Sequence, residues 1–239
     1  MKDGEKSMDG IDRRMALGLG IAAGAASLSR PAVAQGPASP SPAFTPRPLP
    51  FDAGTLPGLS AKLLTSHHDN NYVGAVKRLG AIKAEFAKLD PLSAPGFTLN
   101  GLKREELIAW NSMILHEIYF AGLGGASRPV ARLAQAIERD FGSHARWAAE
   151  FTGMGKALAG GSGWVLLTWS ERDNRLTNTW AADHTMTLAG GTPLLALDMY
   201  EHAYAIDYGA KAGDYVDAYM KVLSWDAASR RFERSAAPA

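Results

Sequence analysis

The stretch "TPLLALDMYEHAYAIDY", Thr192 to Tyr208, decides how the rest of the chain is read. An apolar run from Pro193 to Leu197 has the composition of a buried strand, yet it ends on Asp198, and His202 follows four residues later. A carboxylate beside a core is costly to desolvate unless something positive neutralises it. A metal ion would neutralise the Asp and use the His as well. A single Asp-x-x-x-His pattern is also met by an ordinary structural hydrogen bond, so the surrounding chain has to choose between the two.

Upstream of this strand the sequence carries two more β-rich runs, Trp164 to Ser170 and Leu176 to Ala182, joined by the polar turn Glu171 to Arg175. With Leu194 to Leu197 they predict a three-stranded antiparallel sheet. Before the sheet, Ser127-Arg128-Pro129 opens a helix to about Phe141, and a second runs from His144 to about Leu158 with Ser143 as its cap. In the first half, Leu63, Val73, Val76, Leu79, Ile82 and Phe86 recur at helical spacing and predict one long helix, or two in series, over Leu59 to Lys88. The segment "DPLSAPGFTLNG" interrupts the pattern, and a further helix is expected from Arg104 to Ala121. Asp214 to Leu223 is again helical in pattern. The fold class is α+β: an antiparallel helical hairpin domain over 51–125, then a domain over 126–235 built on the small sheet.

The chain has 239 residues, 46% of them hydrophobic, and a formal net charge of +1 with no basic run in its body, which gives no electrostatic case for nucleic acid or a membrane surface. Cysteine is absent, so disulfides, thiolate nucleophiles and zinc-thiolate sites are excluded, and any metal must sit on nitrogen and oxygen. At the start, Arg13 and Arg14 precede a short apolar segment, Met15 to Leu28, and the small-residue pattern Ala32-Val33-Ala34 closes it. Residues 1–34 resemble a twin-arginine export signal, which carries proteins already folded and points to the periplasm or the cell exterior. Residues 35–50, with six prolines between Gly36 and Pro50, read as an extended tether with no packed structure of its own.

Six histidines are available: His67, His68, His116, His144, His184 and His202. His67 lies one helical turn after Leu63, and His116 one turn before Phe120, so both can point between the helices. Each alone reads as readily as a satisfied core histidine.

The run "LDMYEHAYAIDY" resembles the D-x-W-E-H-x-Y signature of the iron/manganese superoxide dismutases, and "FGSHARWAAEFTGMGKALAGGSGWVLL" is similar to that family's approach to its first strand. The resemblance spans roughly Leu56 to Phe232. It implies a mononuclear site for iron or manganese, one ion per chain, that dismutes superoxide. In "LSAKLLTSHHDNNYV" the family's first ligand falls on His67, because pinning the alignment on Tyr72 instead would place Leu64 there. His116, in "WNSMILHEIYFAGL", resembles the ligand of the family's H-T-F-Y-W segment, and Asp198 and His202 complete the implied set. Three imidazoles and one carboxylate suit iron or manganese, with a position left for solvent.

The resemblance further implies that His184, in "ADHTMTL", stands near the family's glutamine or histidine that faces the metal-bound solvent. It places Trp164 at a site-wall aromatic, Tyr200 where tryptophan is usual, and Glu201 at a glutamate that reaches a ligand histidine across a homodimer. Aligned without a gap, Asn71, Ala75 and Ala205 fall on the positions of the outer proton relay, which is then missing, with Tyr72 as a nearby phenol that could stand in. A superoxide dismutase is therefore the leading expectation, and a metal-binding protein of the same fold without turnover is the alternative. A ferritin-like oxidase fails on spacing, since it needs Glu-x-x-His pairs and here His116-Glu117 and Glu201-His202 are adjacent.

Overall fold

Helices fill the first half because its apolar residues return at three- and four-residue spacing, and sheet begins where the pattern becomes a continuous apolar run. The computed structural model describes residues 44–236. The export signal expected over 1–34 and the start of the proline-rich stretch lie outside them. Helix α1 (Ala61–Ser66) is capped by Ser60, whose hydroxyl accepts the Leu63 N–H at 3.0 Å. It continues through one turn of π-helix, His67–Tyr72, into α2 (Val73–Phe86), so the run expected over Leu59 to Lys88 is continuous but carries a wide turn. That turn, "HHDNNY", is polar, and the Asn70 amide donates to the Ser66 carbonyl at 2.9 Å, which gives that carbonyl a side-chain partner.

Helix α3 (Gly96–Ala121) starts eight residues before the expected Arg104. Pro95 directly precedes it and its carbonyl accepts the Thr98 and Leu99 N–H groups. Glycine inside a helix costs only about 1 kcal/mol against alanine, so Gly96 and Gly101 do not prevent the extension. Lys103 lies over the Phe86 ring at one end of the α2/α3 pair and Glu117 meets Tyr72 at the other, so the two helices run antiparallel. Helices α4 (Ala131–Phe141) and α5 (His144–Ala157) follow, the latter capped by Ser143 as its sequence predicts. Helix α4 begins two residues after Pro129.

The sheet has the order β2-β1-β3, all antiparallel, with β1 (Trp164–Ser170) central and fully buried, β2 (Arg175–Ala181) and β3 (Gly191–Asp198) on its flanks. Strand β3 starts earlier than Leu194 and contains Pro193, which sits on an edge strand opposite Thr168 at an irregularity in the ladder, where a missing N–H is tolerated. Three short elements had no clear sequence signal: a 3-10 turn at Glu201–Ala203, α6 (Ala205–Tyr208) and α8 (Asp226–Ser235). Between them, α7 (Ala212–Lys221) is tied to β3 by Tyr219, which donates to the Ala196 carbonyl at 2.9 Å, and by Tyr215, which donates to that of Asp198 at 2.8 Å. Helix α5 lies so close to β3 that a Cβ on Gly155 would come within 2.7 Å of Leu197 Cδ2.

The regions expected as two domains bury their apolar faces in one core, with Leu63, Leu115 and Tyr119 from the helical half meeting Leu197, Tyr215 and Tyr219 from the other. A correction concerns Phe44 to Pro50. These residues form no helix or strand, but they are a docked strap and not a free tether. Tyr72 Oη accepts the Arg47 N–H at 2.8 Å, His68 Nε2 donates to the Arg47 carbonyl at 2.8 Å, and Phe44 packs edge-on against Trp110 at 6.2 Å.

Candidate metal centre

Four side chains from four separate elements converge. Asp198 is the last residue of β3, placed opposite Trp164 by the ladder, and its Oδ1 accepts the Tyr200 N–H at 2.9 Å. That leaves Oδ2 facing inward, where it lies 3.1 Å from His67 Nε2, 3.1 Å from His202 Nε2 and 3.5 Å from His116 Nε2. All four candidate ligand atoms lie within 4.8 Å of one another. His67 sits at the α1/π-turn junction, His116 near the end of α3 and His202 in the 3-10 turn after β3. His67, His116 and Asp198 are buried, and the His202 side chain is 24% exposed.

The donor set fits a cation on a specific ground. His116 Nδ1 is 2.7 Å from the Ser112 carbonyl and must donate its hydrogen there. Burial, aided by His67 beside it, pushes the His116 pKa down to about 3, so the ring is neutral and Nε2 is a bare lone pair. That nitrogen is buried without a hydrogen-bond partner among the described residues and faces a carboxylate oxygen. Two lone pairs at that distance in a dry pocket repel, and a cation between them makes both contacts favourable. Burial lowers the His67 pKa as well, although its hydrogen bond to Asp198 works the other way. Burial opposes the charge on Asp198, but the His202 and His67 imidazoles outweigh it and hold the carboxyl below the usual range.

Aromatic rings wall the cluster. Tyr119 and Phe120 lie 4.9 and 5.0 Å from the His67 ring, and Trp164 stands edge-on to His116 at 5.3 Å. Tyr200 is stacked against His184 at 4.8 Å and against His202 at 5.3 Å, and burial together with Asp198 pushes its phenol up to about 12. Trp164 Nε1 donates to His184 Nδ1 at 3.0 Å. Burial also lowers the His184 pKa, so in its neutral ring the proton is on Nε2.

The sequence therefore named the four clustered residues and two neighbours, His184 and Trp164, that the fold brings beside them. Tyr72 is not brought to the cluster. Its hydroxyl accepts from the Arg47 N–H and donates to Glu117 Oε1 at 3.1 Å, and Glu117 in turn pairs with Arg47 at 3.1 Å. Asn71 and Ala75, which the ungapped resemblance puts on the outer relay, lie in the π-turn and in the first turn of α2. Ala75 is buried and apolar and carries no phenol. Ala205 is exposed and Glu201 projects into solvent beside His202. Sequence reasoning missed the Arg47–Glu117 pair and the Phe120 wall. The visible signal for Glu117 was a charge directly after His116, and Arg47 had none.

The family described as iron/manganese superoxide dismutases, C-terminal domain, matches residues 129–231. The chain is 65% identical over 186 residues to a superoxide dismutase [Fe] of Cupriavidus metallidurans, covering 78% of this chain and 94% of that protein. It is 35% identical over 193 residues to superoxide dismutase [Mn] 1 of Halobacterium salinarum, covering 79% of this chain and 94% of that one. Superoxide dismutase [Mn] 2 of Haloferax volcanii matches at 34% with the same coverage.

Proposed function

Because the chain belongs to the iron/manganese superoxide dismutase family, we infer that it converts two superoxide radicals and two protons into hydrogen peroxide and dioxygen. The observation that carries this reading is the convergence of three imidazole Nε2 atoms on Asp198 Oδ2 in a buried pocket whose His116 Nε2 has no other partner among the described residues. His67, His116, Asp198 and His202 would hold one iron or manganese ion per chain. That ion supplies the alternation between trivalent and divalent states by which one superoxide is oxidised and another reduced.

The protein's own part is to hold protons and shape the pocket. His184 Nε2–H is the proton-bearing group beside the centre, with Trp164 fixing the tautomer through Nδ1 and Tyr200 fixing the plane of the ring. Tyr72, held by Arg47 and Glu117, positions the strap instead of delivering protons. Glu201 is exposed next to His202, whose Nδ1 has no partner among the described residues, which supports a homodimer in which each glutamate reaches the other chain's His202. Nearby Ile206, 43% exposed, adds apolar surface for such a contact. The twin-arginine pattern at Arg13 and Arg14 supports export as a folded, metal-loaded protein.

Superoxide decay measured on the purified chain, metal-free and after loading with iron or manganese, tests the activity. Decay that rises with metal loading is the expected result. Loading without any gain in decay refutes turnover and leaves the metal-binding alternative.

A further inference from the structure

Two adjoining cavities, about 170 and 400 Å³, lie between the Phe44–Pro50 strap, α3 and α8. They share Arg47, Glu117 and Arg231 in their walls, and the larger adds Arg234 with the hydroxyl side chains of Thr192 and Ser235. Three guanidiniums thus face one carboxylate. Glu117, the single acid lining either cavity among the described residues, is already engaged by Arg47 and Tyr72. Arg231 has no ion pair or hydrogen bond among the described residues, and its Nη1 is buried without an acceptor. Arg234 is exposed and likewise unpaired there.

A half-buried guanidinium with an orphaned N–H is costly to keep. Burial lowers the Arg231 pKa, and the nearby Arg234, Arg230 and Arg47 charges push the same way, with Glu117 alone opposing them. An anion between Arg231 and Arg234 would reverse each of these penalties. Several donors arranged around one cavity suit an oxyanion with several acceptor oxygens, since guanidinium pairs with phosphate oxygens through parallel N–H bonds.

We propose that the cleft between Arg231, Arg234 and Arg47, bordered by Thr192 and Ser235, is a binding site for a phosphate-type oxyanion. The oxyanion is either free phosphate or a small phosphomonoester. The site shares no residue with the metal centre, Phe120 lining the smaller cavity and packing against the His67 ring, and it does not depend on the redox reading. Occupancy would tie α8 and the strap to the start of β3.

Calorimetric titration of the metal-loaded chain with sodium phosphate, at fixed total ionic strength in chloride, tests it. The expected result is saturable binding of one phosphate per chain. Arg231→Gln should weaken the binding at least about ten-fold, the loss of one charge-assisted hydrogen bond, and Arg234→Gln should weaken it by about the same factor. No saturable phosphate heat above the chloride baseline overturns the proposal. So does unchanged affinity in Arg234→Gln, a change at an exposed residue that leaves the fold intact even where Arg231→Gln does not fold. Competition by glycerol phosphate identifies a phosphomonoester as an acceptable ligand, and its failure to compete identifies the free ion.

Discussion

Removing the metal and lowering the pH should expose how His116 is held. In the metal-free chain its folded pKa is about 3, against an unfolded value of about 6.5. The unfolded chain therefore takes up the proton first, and stability drains away as pH falls from about 6.5 toward about 3. Integrating the linkage between these values gives a loss of about 2 kcal/mol between pH 7 and pH 5 from this residue alone. Urea unfolding followed by circular dichroism reads that as a midpoint shift of about 1 M for slopes of the usual size. His67, also depressed by burial, adds to the loss in the same direction, so the comparison to make is with His116→Gln, which keeps His67 but cannot titrate at 116. The variant should lose about 2 kcal/mol less than the native chain over the same interval. Equal losses in the two proteins would falsify the picture of a neutral, dry imidazole whose Nε2 awaits a cation.

Other perturbations separate the roles of the remaining residues. Asp198→Ala should abolish metal occupancy measured by elemental analysis, while His68→Ala, whose ring meets Arg47 and Asp69 on the far side of the turn, should leave it nearly full. His184→Ala should slow superoxide decay by about 10²-fold, as expected for losing a proton-transfer group, whereas Tyr72→Phe should stay within about a few-fold of native. A larger loss for Tyr72→Phe means that its phenol, not His184, carries the proton. Glu201→Ala should shift the sedimentation profile toward monomer at micromolar concentration, and a native profile that is already monomeric rules out the cross-chain glutamate.

The legible parts of this chain were those where one physical signal dominates. A continuous apolar run ending in Asp198 could only be a buried strand with a costly terminus, and Ser143 before a helical pattern could be read as a cap. The four clustered residues were found through a family signature, because no local property of His67 or His116 distinguishes a ligand from a core histidine. What escaped notice depends on long-range context. The π-turn at His67–Tyr72 is accompanied by side-chain bonds such as Asn70 to Ser66, and helical periodicity over this largely polar run carries no trace of it. Arg47 lies among prolines that ordinarily mark a solvated tether, and only the partners offered by His68, Tyr72 and Glu117 hold it down. Helix α8 buries a short stripe, Ala227, Ala228 and Phe232, among charged residues, too little apolar surface to stand out in sequence.

Anomalous diffraction from crystals of the purified chain, collected on either side of the iron and manganese absorption edges, addresses the central claim most directly. The account predicts one anomalous peak per chain, enclosed by the Nε2 atoms of His67, His116 and His202 and the Oδ2 atom of Asp198. A chain that carries iron or manganese elsewhere, with no peak among these four atoms, contradicts it.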